Sequence, residues 1–214
     1  MTPELMIFDC DGVLVDSEPV TDAILSANLT RHGYPVTPHE VHSLFAGGTM
    51  AGIEVEARKR GADLPVSWLE DIYQAVFEGL RKGVPVIPGV IELIDACDRA
   101  GIKRAIASNG PIAKMEISLK PSGLLDRFEG RIYSGHDYGP KPKPDMLQQI
   151  MKDAGVSPDR TVMIDDMPAG FHAAQAAGVK CFAYMADGDQ KRADGTKAIK
   201  VTTMAEIQKT SNLI

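Results

Sequence analysis

The feature that most constrains this chain is a short apolar run, Leu5–Phe8, that ends abruptly in Asp9-Cys10-Asp11-Gly12. A continuous, unalternating apolar run of this length is typical of a strand buried on both faces, as in a parallel sheet. Side chains alternate along an extended chain, so Asp9 and Asp11 share one face if the extension persists. Two converging carboxylates repel each other unless a cation lies between them, and Mg²⁺ is the first candidate. Taken alone, the motif is also compatible with a plain Asp-Gly turn.

The rest of the chain divides by pattern into a helical insert and an alternating segment. Between residues 16 and 85 we find helical stripes, such as Trp68, Ile72, Val76 and Leu80 within Ser67–Lys82, and no convincing buried strand. From residue 86 onward, predicted helices alternate with short apolar strands, which favours a parallel, doubly wound sheet. We therefore expect an α/β core of residues 1–15 and 86–214 with an all-helical cap of residues 16–85. The polar stretch 187–200 is predicted to be a loop.

Composition and charge exclude several classes of protein. The 214 residues carry a formal net charge of −6, which disfavours non-specific binding to nucleic acid. No apolar run approaches the roughly 18 residues of a membrane span, and the N-terminus lacks a secretory pattern. Three cysteines without a CxxC pair are typical of free thiols in a reducing compartment. We expect a cytoplasmic monomer or weak homo-oligomer with no nucleic-acid and no membrane partner.

Polar residues follow the predicted strands at the edge where a parallel sheet binds its ligands. They are Asp9 and Asp11 after the first strand, Ser108 and Asn109 after the second, Lys141 after the third, and Asp165 and Asp166 after the fourth. Carboxylates, a hydroxyl and an ammonium group gathered with Mg²⁺ are suited to phosphoryl transfer. Taken singly, Ser108 could be a loop serine, Lys141 a solvated lysine, and the Asp165-Asp166 pair a helix N-cap.

This set of residues predicts a two-step hydrolysis. Asp9 could attack phosphorus and give an aspartyl phosphate. Asp11 could protonate the leaving alcohol and then deprotonate the hydrolytic water. Lys141 would neutralise charge on the phosphoryl oxygens. Ser108 and the backbone N–H groups of Asn109 and Gly110 would donate hydrogen bonds to the same oxygens.

Together these motifs resemble those of the haloacid dehalogenase superfamily, in members whose helical cap is inserted after the first motif. The segment from Asp9 to Glu18 resembles the first motif, Ser108 stands in the second, Lys141-Pro142-Lys143-Pro144-Asp145 resembles the third, and residues 164–170 resemble the fourth. The resemblance spans essentially the whole chain. It implies a Rossmann-like core, a mobile cap, an aspartyl-phosphate intermediate and Mg²⁺ as cofactor. The implied metal ligands are Asp9, Asp11, Asp166 and Asp165, the last bound directly or through water.

Departures from the family pattern narrow the expected function. Asp11 is present, whereas the true dehalogenases and phosphonatases of the superfamily lack an aspartate there, and Thr21 stands where its hexose-phosphate mutases carry a histidine. We expect a phosphoric monoester hydrolase that acts on a small phosphorylated metabolite, a sugar phosphate or a phosphosugar acid such as 6-phosphogluconate. The alternatives are a hexose-phosphate mutase of the same superfamily and a non-catalytic phospholigand-binding protein. In the cap, Glu18, Gly47 and Gly48 are predicted to contact substrate, although the paired glycines also suit a plain helix–helix turn.

Overall fold

The chain folds into two compact units. The computed structural model describes residues 2–45 and 49–213. One unit is formed by Met1–Asp16 together with Val86–Ile214, and the other by Ser17–Pro85. The second unit is therefore an insertion that interrupts the first unit after its opening segment.

The inserted unit contains helices and no strand within its described residues, 17–45 and 49–85. Its helices are α1 (Glu18–Arg31), α2 (Pro38–Phe45), α3 (Met50–Lys59) and α4 (Trp68–Arg81). Trp68 is fully buried at the centre of this unit, and its indole N–H donates to Asn28 Oδ1 at 2.7 Å. Ile72 and Leu29 are buried beside it and belong to the same apolar cluster. The predicted stripe of α4 thus forms the core of the insert.

The other unit is built on a parallel sheet of six strands within the described residues. The strands are β1 (Leu5–Phe8), β2 (Lys103–Ser108), β3 (Ile132–Ser134), β4 (Thr161–Asp165), β5 (Lys180–Tyr184) and β6 (Ile199–Val201), in the spatial order β3-β2-β1-β4-β5-β6. Every neighbouring pair is parallel. Phe8 at the end of β1 is in register with Ile106 of β2 and Ile164 of β4. The residues just after β1 therefore lie between the carboxyl ends of two other strands.

Helices cover the sheet and bury its apolar residues. They are α5 (Val90–Ala100), α6 (Ile112–Leu119), α7 (Gly135–Tyr138), α8 (Asp145–Ala154), α9 (Pro168–Ala176) and α10 (Met204–Thr210). Leu5 and Ile7 of β1 are fully buried in one cluster with Leu147 of α8 and Phe171 of α9. The predicted α/β class, a doubly wound parallel sheet with an inserted all-helical cap, is confirmed. None of the helices in the described part of the chain is long and apolar enough to cross a membrane.

The prediction of a loop over residues 187–200 is wrong in part. A short 3₁₀ helix occupies Gln190–Ala193, and β6 begins at Ile199. β6 pairs with β5, with Phe182 opposite Ile199 and Tyr184 opposite Val201. Only Val201 of the three strand residues is buried. The strand therefore depends on pairing with β5 at the edge of the sheet, and its own residues give little signal.

Candidate active site

The loop after β1 carries the first two predicted site residues. The backbone N–H of Asp9 still donates to Ile164 O at 2.9 Å, so this buried carboxylate is fixed by the sheet itself. Gly12 has a φ of +79°, and a Cβ on it would lie 2.4 Å from Asp166 Oδ2. The glycine is required here because it permits the positive φ and the close approach to Asp166. The turn thus brings the loop after β1 against the loop after β4.

Three of the predicted carboxylates lie together. One oxygen each of Asp9, Asp165 and Asp166 falls within 4.8 Å of the others. Asp11, the fourth predicted metal ligand, lies outside this group, and its Oδ2 is 2.8 Å from Lys114 Nζ. The structure therefore brings the ends of β1 and β4 into one acidic cluster, with Asp11 beside it.

Lys141 lies against the acidic cluster. Its Nζ donates to Asp9 Oδ1 at 2.6 Å, to Asp165 Oδ2 at 2.7 Å and to the Ala107 carbonyl oxygen at 3.0 Å. An ammonium group has three N–H donors, and all three are used. Burial alone would lower the pKa of Lys141, but the two carboxylates outweigh it and raise that pKa above its usual range. Lys141 is thus a fixed positive charge beside Asp9.

The side chain of Asn109 holds the backbone of Lys141. Asn109 Oδ1 accepts from the Lys141 N–H at 2.7 Å, and Asn109 Nδ2 donates to the Lys141 carbonyl oxygen at 3.1 Å. This pair of bonds joins the end of β2 to the loop between α7 and α8. The Gly110 N–H donates to Ser108 Oγ at 3.1 Å. The phosphate contacts of Ser108, Asn109 and Gly110 stay predictions.

Asp165 is held on both of its carboxylate oxygens. Oδ1 accepts from the Met167 N–H at 2.9 Å, and Oδ2 accepts from Lys141. A Cβ on Gly170, in the first turn of α9, would lie 1.9 Å from Asp165 Oδ2. The start of α9 therefore encloses the Asp165 carboxylate and holds it in place. In that position Asp165 can orient the ammonium group of Lys141.

Burial dominates the electrostatics of Asp9. Loss of solvation raises the pKa of this carboxyl to about 7; Lys141 opposes that rise, and the neighbouring Asp165 adds to it. The carboxylates of Asp9, Asp11, Asp165 and Asp166 and the ammonium groups of Lys141 and Lys114 give a formal charge of −2 when all are ionised. Carboxylate oxygens are hard ligands, so the donor set and its charge fit one divalent cation such as Mg²⁺.

Comparison with known proteins identifies the family of this chain. The chain matches the family model described as haloacid dehalogenase-like hydrolase over residues 6–184. The chain belongs to the haloacid dehalogenase-like hydrolases. The predicted family is thereby confirmed.

Similar proteins within this hydrolase family include enzymes named as phosphatases. The chain is 28% identical over 207 residues to the 6-phosphogluconate phosphatase of Escherichia coli (strain K12), covering 95% of this chain and 92% of that enzyme. It is 32% identical over 195 residues to hexitol phosphatase A of the same organism, covering 87% and 85%. A solved haloacid dehalogenase-like protein of unknown function from Agrobacterium tumefaciens str. C58 has a TM-score of 0.80 at 33% identity, covering 97% and 96%. The predicted enzyme class, a phosphatase of this family, is confirmed.

Lys114 also lies beside the acidic cluster, although the sequence motifs did not predict it as a site residue. The residue lies in the first turn of α6, six positions after Ser108. Burial alone would lower the pKa of Lys114, but the Asp11 carboxylate outweighs that effect and raises it. A signal was available, because a helix that begins at the carboxyl edge of a parallel sheet places its first turn beside the site.

The predicted substrate residues of the cap belong to the other unit. Glu18 is the first residue of α1, and its Oε2 lies 3.9 Å from His42 Nδ1. Gly47 and Gly48 lie outside the described residues. A substrate role for these three residues of the hydrolase stays a prediction.

Proposed function

We propose that this hydrolase is a Mg²⁺-dependent phosphatase of sugar phosphates or phosphosugar acids that uses Asp9 as its nucleophile. The observation that carries the proposal is the position of Asp9. Its carboxylate is buried, lies 2.6 Å from Lys141 Nζ, and shares an acidic cluster with Asp165 and Asp166. A plain Asp-Gly turn would not need a buried lysine and two further carboxylates around its aspartate.

The acidic cluster contains the residues that would bind the metal. Asp9 and Asp166 would hold Mg²⁺, with Asp165 bound to it directly or through water, and a ligand role of Asp11 stays a prediction. Bound there, Mg²⁺ supplies positive charge that offsets the charge of the phosphoryl group. The closeness of Gly12 to Asp166 supports the fit, since any side chain at Gly12 would displace that carboxylate.

The first chemical step transfers the phosphoryl group to the protein. A carboxylate oxygen of Asp9 attacks phosphorus, and the bond between phosphorus and the alcohol oxygen of the substrate breaks. Asp11 gives its proton to that oxygen, so the product leaves as a neutral alcohol. Lys141 offsets the negative charge of the transferred group.

The second step restores the enzyme. A water molecule attacks phosphorus of the aspartyl phosphate, Asp11 accepts the proton of that water, and inorganic phosphate leaves Asp9 as a free carboxylate. Asp165 and Asn109 take no part in bond making. They hold the side chain and the backbone of Lys141, so the ammonium group meets the phosphoryl oxygens in a fixed position.

The expected substrates are phosphorylated sugar derivatives. The similar E. coli enzymes are named for 6-phosphogluconate and for hexitol phosphates, and the match to each covers most of both chains. The mutase alternative is disfavoured at Thr21. Its hydroxyl donates to the Ser17 carbonyl oxygen at 3.0 Å, and a hydroxyl does not replace the imidazole that the mutases of the superfamily carry there.

Phosphate release from a panel of metabolites tests the substrate class. The panel contains 6-phosphogluconate, hexitol phosphates, hexose phosphates, phosphoglycolate and p-nitrophenyl phosphate, each assayed with Mg²⁺ and with a chelator. We expect Mg²⁺-dependent release that is fastest with one or two of the sugar-derived compounds. Release that persists in chelator would overturn the metal assignment. An isomerised sugar phosphate in place of free phosphate would point to the mutase.

A further inference from the structure

Lys114 and Asp11 form an ion pair beside the acidic cluster. Lys114 Nζ lies 2.8 Å from Asp11 Oδ2, and the two residues are 103 positions apart in sequence. Their side chains are only 22% and 23% exposed. Ion pairs on the open surface are held loosely, whereas a pair that is largely shielded from solvent is held more firmly. The pair therefore restricts where the Asp11 carboxylate can lie.

The surroundings of Lys114 fix the position of its ammonium group. The residue stands in the first turn of α6, and Ser118 Oγ donates to its carbonyl oxygen at 2.9 Å. A Cβ on Gly110 would lie 3.6 Å from Lys114 Cδ, so the aliphatic stem passes close to the loop after β2. A lysine stem confined in this way loses rotamer freedom on folding, and its charged end is held in one direction.

We propose that Lys114 is a positioning residue that holds the Asp11 carboxylate where it can exchange a proton with the leaving oxygen. The proposal rests on the proposed phosphatase function, in which Asp11 is the general acid. Lys114 itself donates no proton and touches no reacting atom. It acts through Asp11, much as Asp165 acts through Lys141.

A role in positioning the acid has a specific kinetic consequence. An alkyl phosphate expels a poor leaving group and needs a proton from Asp11 in the first step. p-Nitrophenyl phosphate expels a stabilised phenolate that leaves without one. General acid catalysis contributes about 10²–10⁴-fold where the proton is needed. Loss of the Lys114 charge is therefore expected to slow the alkyl phosphate selectively.

The test compares the two substrates in three variants of the full chain. Lys114→Met keeps the length of the stem and removes the charge, Lys114→Arg keeps the charge, and Lys120→Met removes an exposed lysine just after α6 as the matched control. We expect K114M to lower kcat/KM by about 10–100-fold for the best alkyl phosphate and less than about threefold for p-nitrophenyl phosphate. K114R should recover part of the loss, and K120M should match the wild type.

A double variant adds a measurement that structural damage does not reproduce. If Lys114 acts through Asp11, then K114M placed on Asp11→Asn should cause little further loss with the alkyl phosphate, because the two changes remove one function. Equal losses with both substrates, or additive losses in the double variant, would overturn the role of Lys114. A wild-type enzyme that releases no phosphate at all would overturn the proposed function, and with it this role. If the wild type is active and K114M slows both substrates equally, the role of Lys114 is overturned and the proposed function is not.

Discussion

At the residue scale, the most restrictive position is Gly170. Its α carbon is so close to Asp165 that an added Cβ would lie 1.9 Å from one carboxylate oxygen and 2.0 Å from Cγ. Distances of that size are impossible, so any side chain at Gly170 moves Asp165. Since Asp165 binds Lys141, the displacement reaches the ammonium group that lies 2.6 Å from Asp9.

Gly170→Ala is therefore expected to impair both catalysis and stability. We expect kcat/KM to fall on the order of a hundredfold, as for a catalytic group misplaced by about 1 Å. The free energy of unfolding should fall by about 1–3 kcal/mol, as for an overpacked core. Phosphate release and urea denaturation measure the two effects. Ala176→Ser, on the exposed face of the same helix, is the control and should change neither quantity. Full activity of G170A would show that Asp165 does not need its present position.

Residues at strand ends were predictable, but side chains that reach across elements were not. Asp9, Asp165 and Asp166 lie together because parallel strands end at one edge, and that edge can be read from the alternation of strands and helices. Lys114 reaches Asp11 from a helix, so its contact depends on where α6 starts and how its stem packs. The hydrogen bonds of the Asn109 side chain to the Lys141 backbone depend in the same way on the path of the loop between α7 and α8.

At the scale of elements, Arg104 connects a strand, a helix and a turn. It is the second residue of β2 and is 5% exposed. Its guanidinium donates to the Arg127 carbonyl oxygen at 3.0 Å from Nη2 and binds the Asp98 carboxylate of α5 through Nη1. This network lies at the start of β2, whereas Ser108 and the site lie at its end. It therefore contributes to folding and not to the reaction.

Arg104→Met is expected to destabilise the protein without changing its chemistry. The free energy of unfolding should fall by about 2–3 kcal/mol, because the Arg127 carbonyl oxygen loses its donors and the buried guanidinium is removed, while Asp98 stays partly solvated. Urea denaturation measures this loss, and kcat of the folded fraction should equal that of the wild type. Arg99→Met, an exposed arginine at the end of α5, is the control and should leave both unchanged. A large fall in kcat for R104M would contradict this separation of the two ends of β2.

The same network gives a pH dependence with a definite sign. Partial burial raises the pKa of Asp98, but hydrogen bonds from Arg127 and Arg104 outweigh it and hold that pKa below its usual range. A carboxyl whose pKa is depressed in the folded state stabilises the fold above its unfolded pKa, and this stabilisation is lost as the pH falls through the folded value. The difference in stability between wild type and R104M should therefore shrink below about pH 4.

The elements themselves were predictable where a local stripe or run determines them. The stripe of Trp68, Ile72, Val76 and Leu80 predicted a helix over Ser67–Lys82, and α4 occupies Trp68–Arg81. β6 was missed because two of its three residues are exposed and the strand exists only through pairing with β5. Elements that bury their own apolar face can be predicted from sequence, whereas an exposed edge strand that is stabilised by pairing with its neighbour cannot.

At the scale of the whole molecule, the position of β1 explains how the chain is organised. β1 is hydrogen-bonded to β2 on one side and β4 on the other, although the 69 residues of Ser17–Pro85 separate it from the other strands in sequence. The sheet therefore needs both ends of the chain, and Asp9, the proposed nucleophile, directly follows its central strand. The net charge of −6 opposes binding of an anion. Lys141 supplies local positive charge beside Asp9, where we propose that the phosphoryl group is transferred.

The central claim is that Asp9 carries the phosphoryl group, and the most direct test is phosphate release by Asp9→Asn beside wild type. Asp126→Asn, a change at an exposed aspartate, serves as the matched control, and urea denaturation checks that both variants fold. With Mg²⁺ and the best substrate of the panel, we expect D9N to lose at least about a thousandfold in kcat, because an amide cannot form the aspartyl phosphate. D126N should match the wild type. A folded D9N that released phosphate at the wild-type rate would contradict the account.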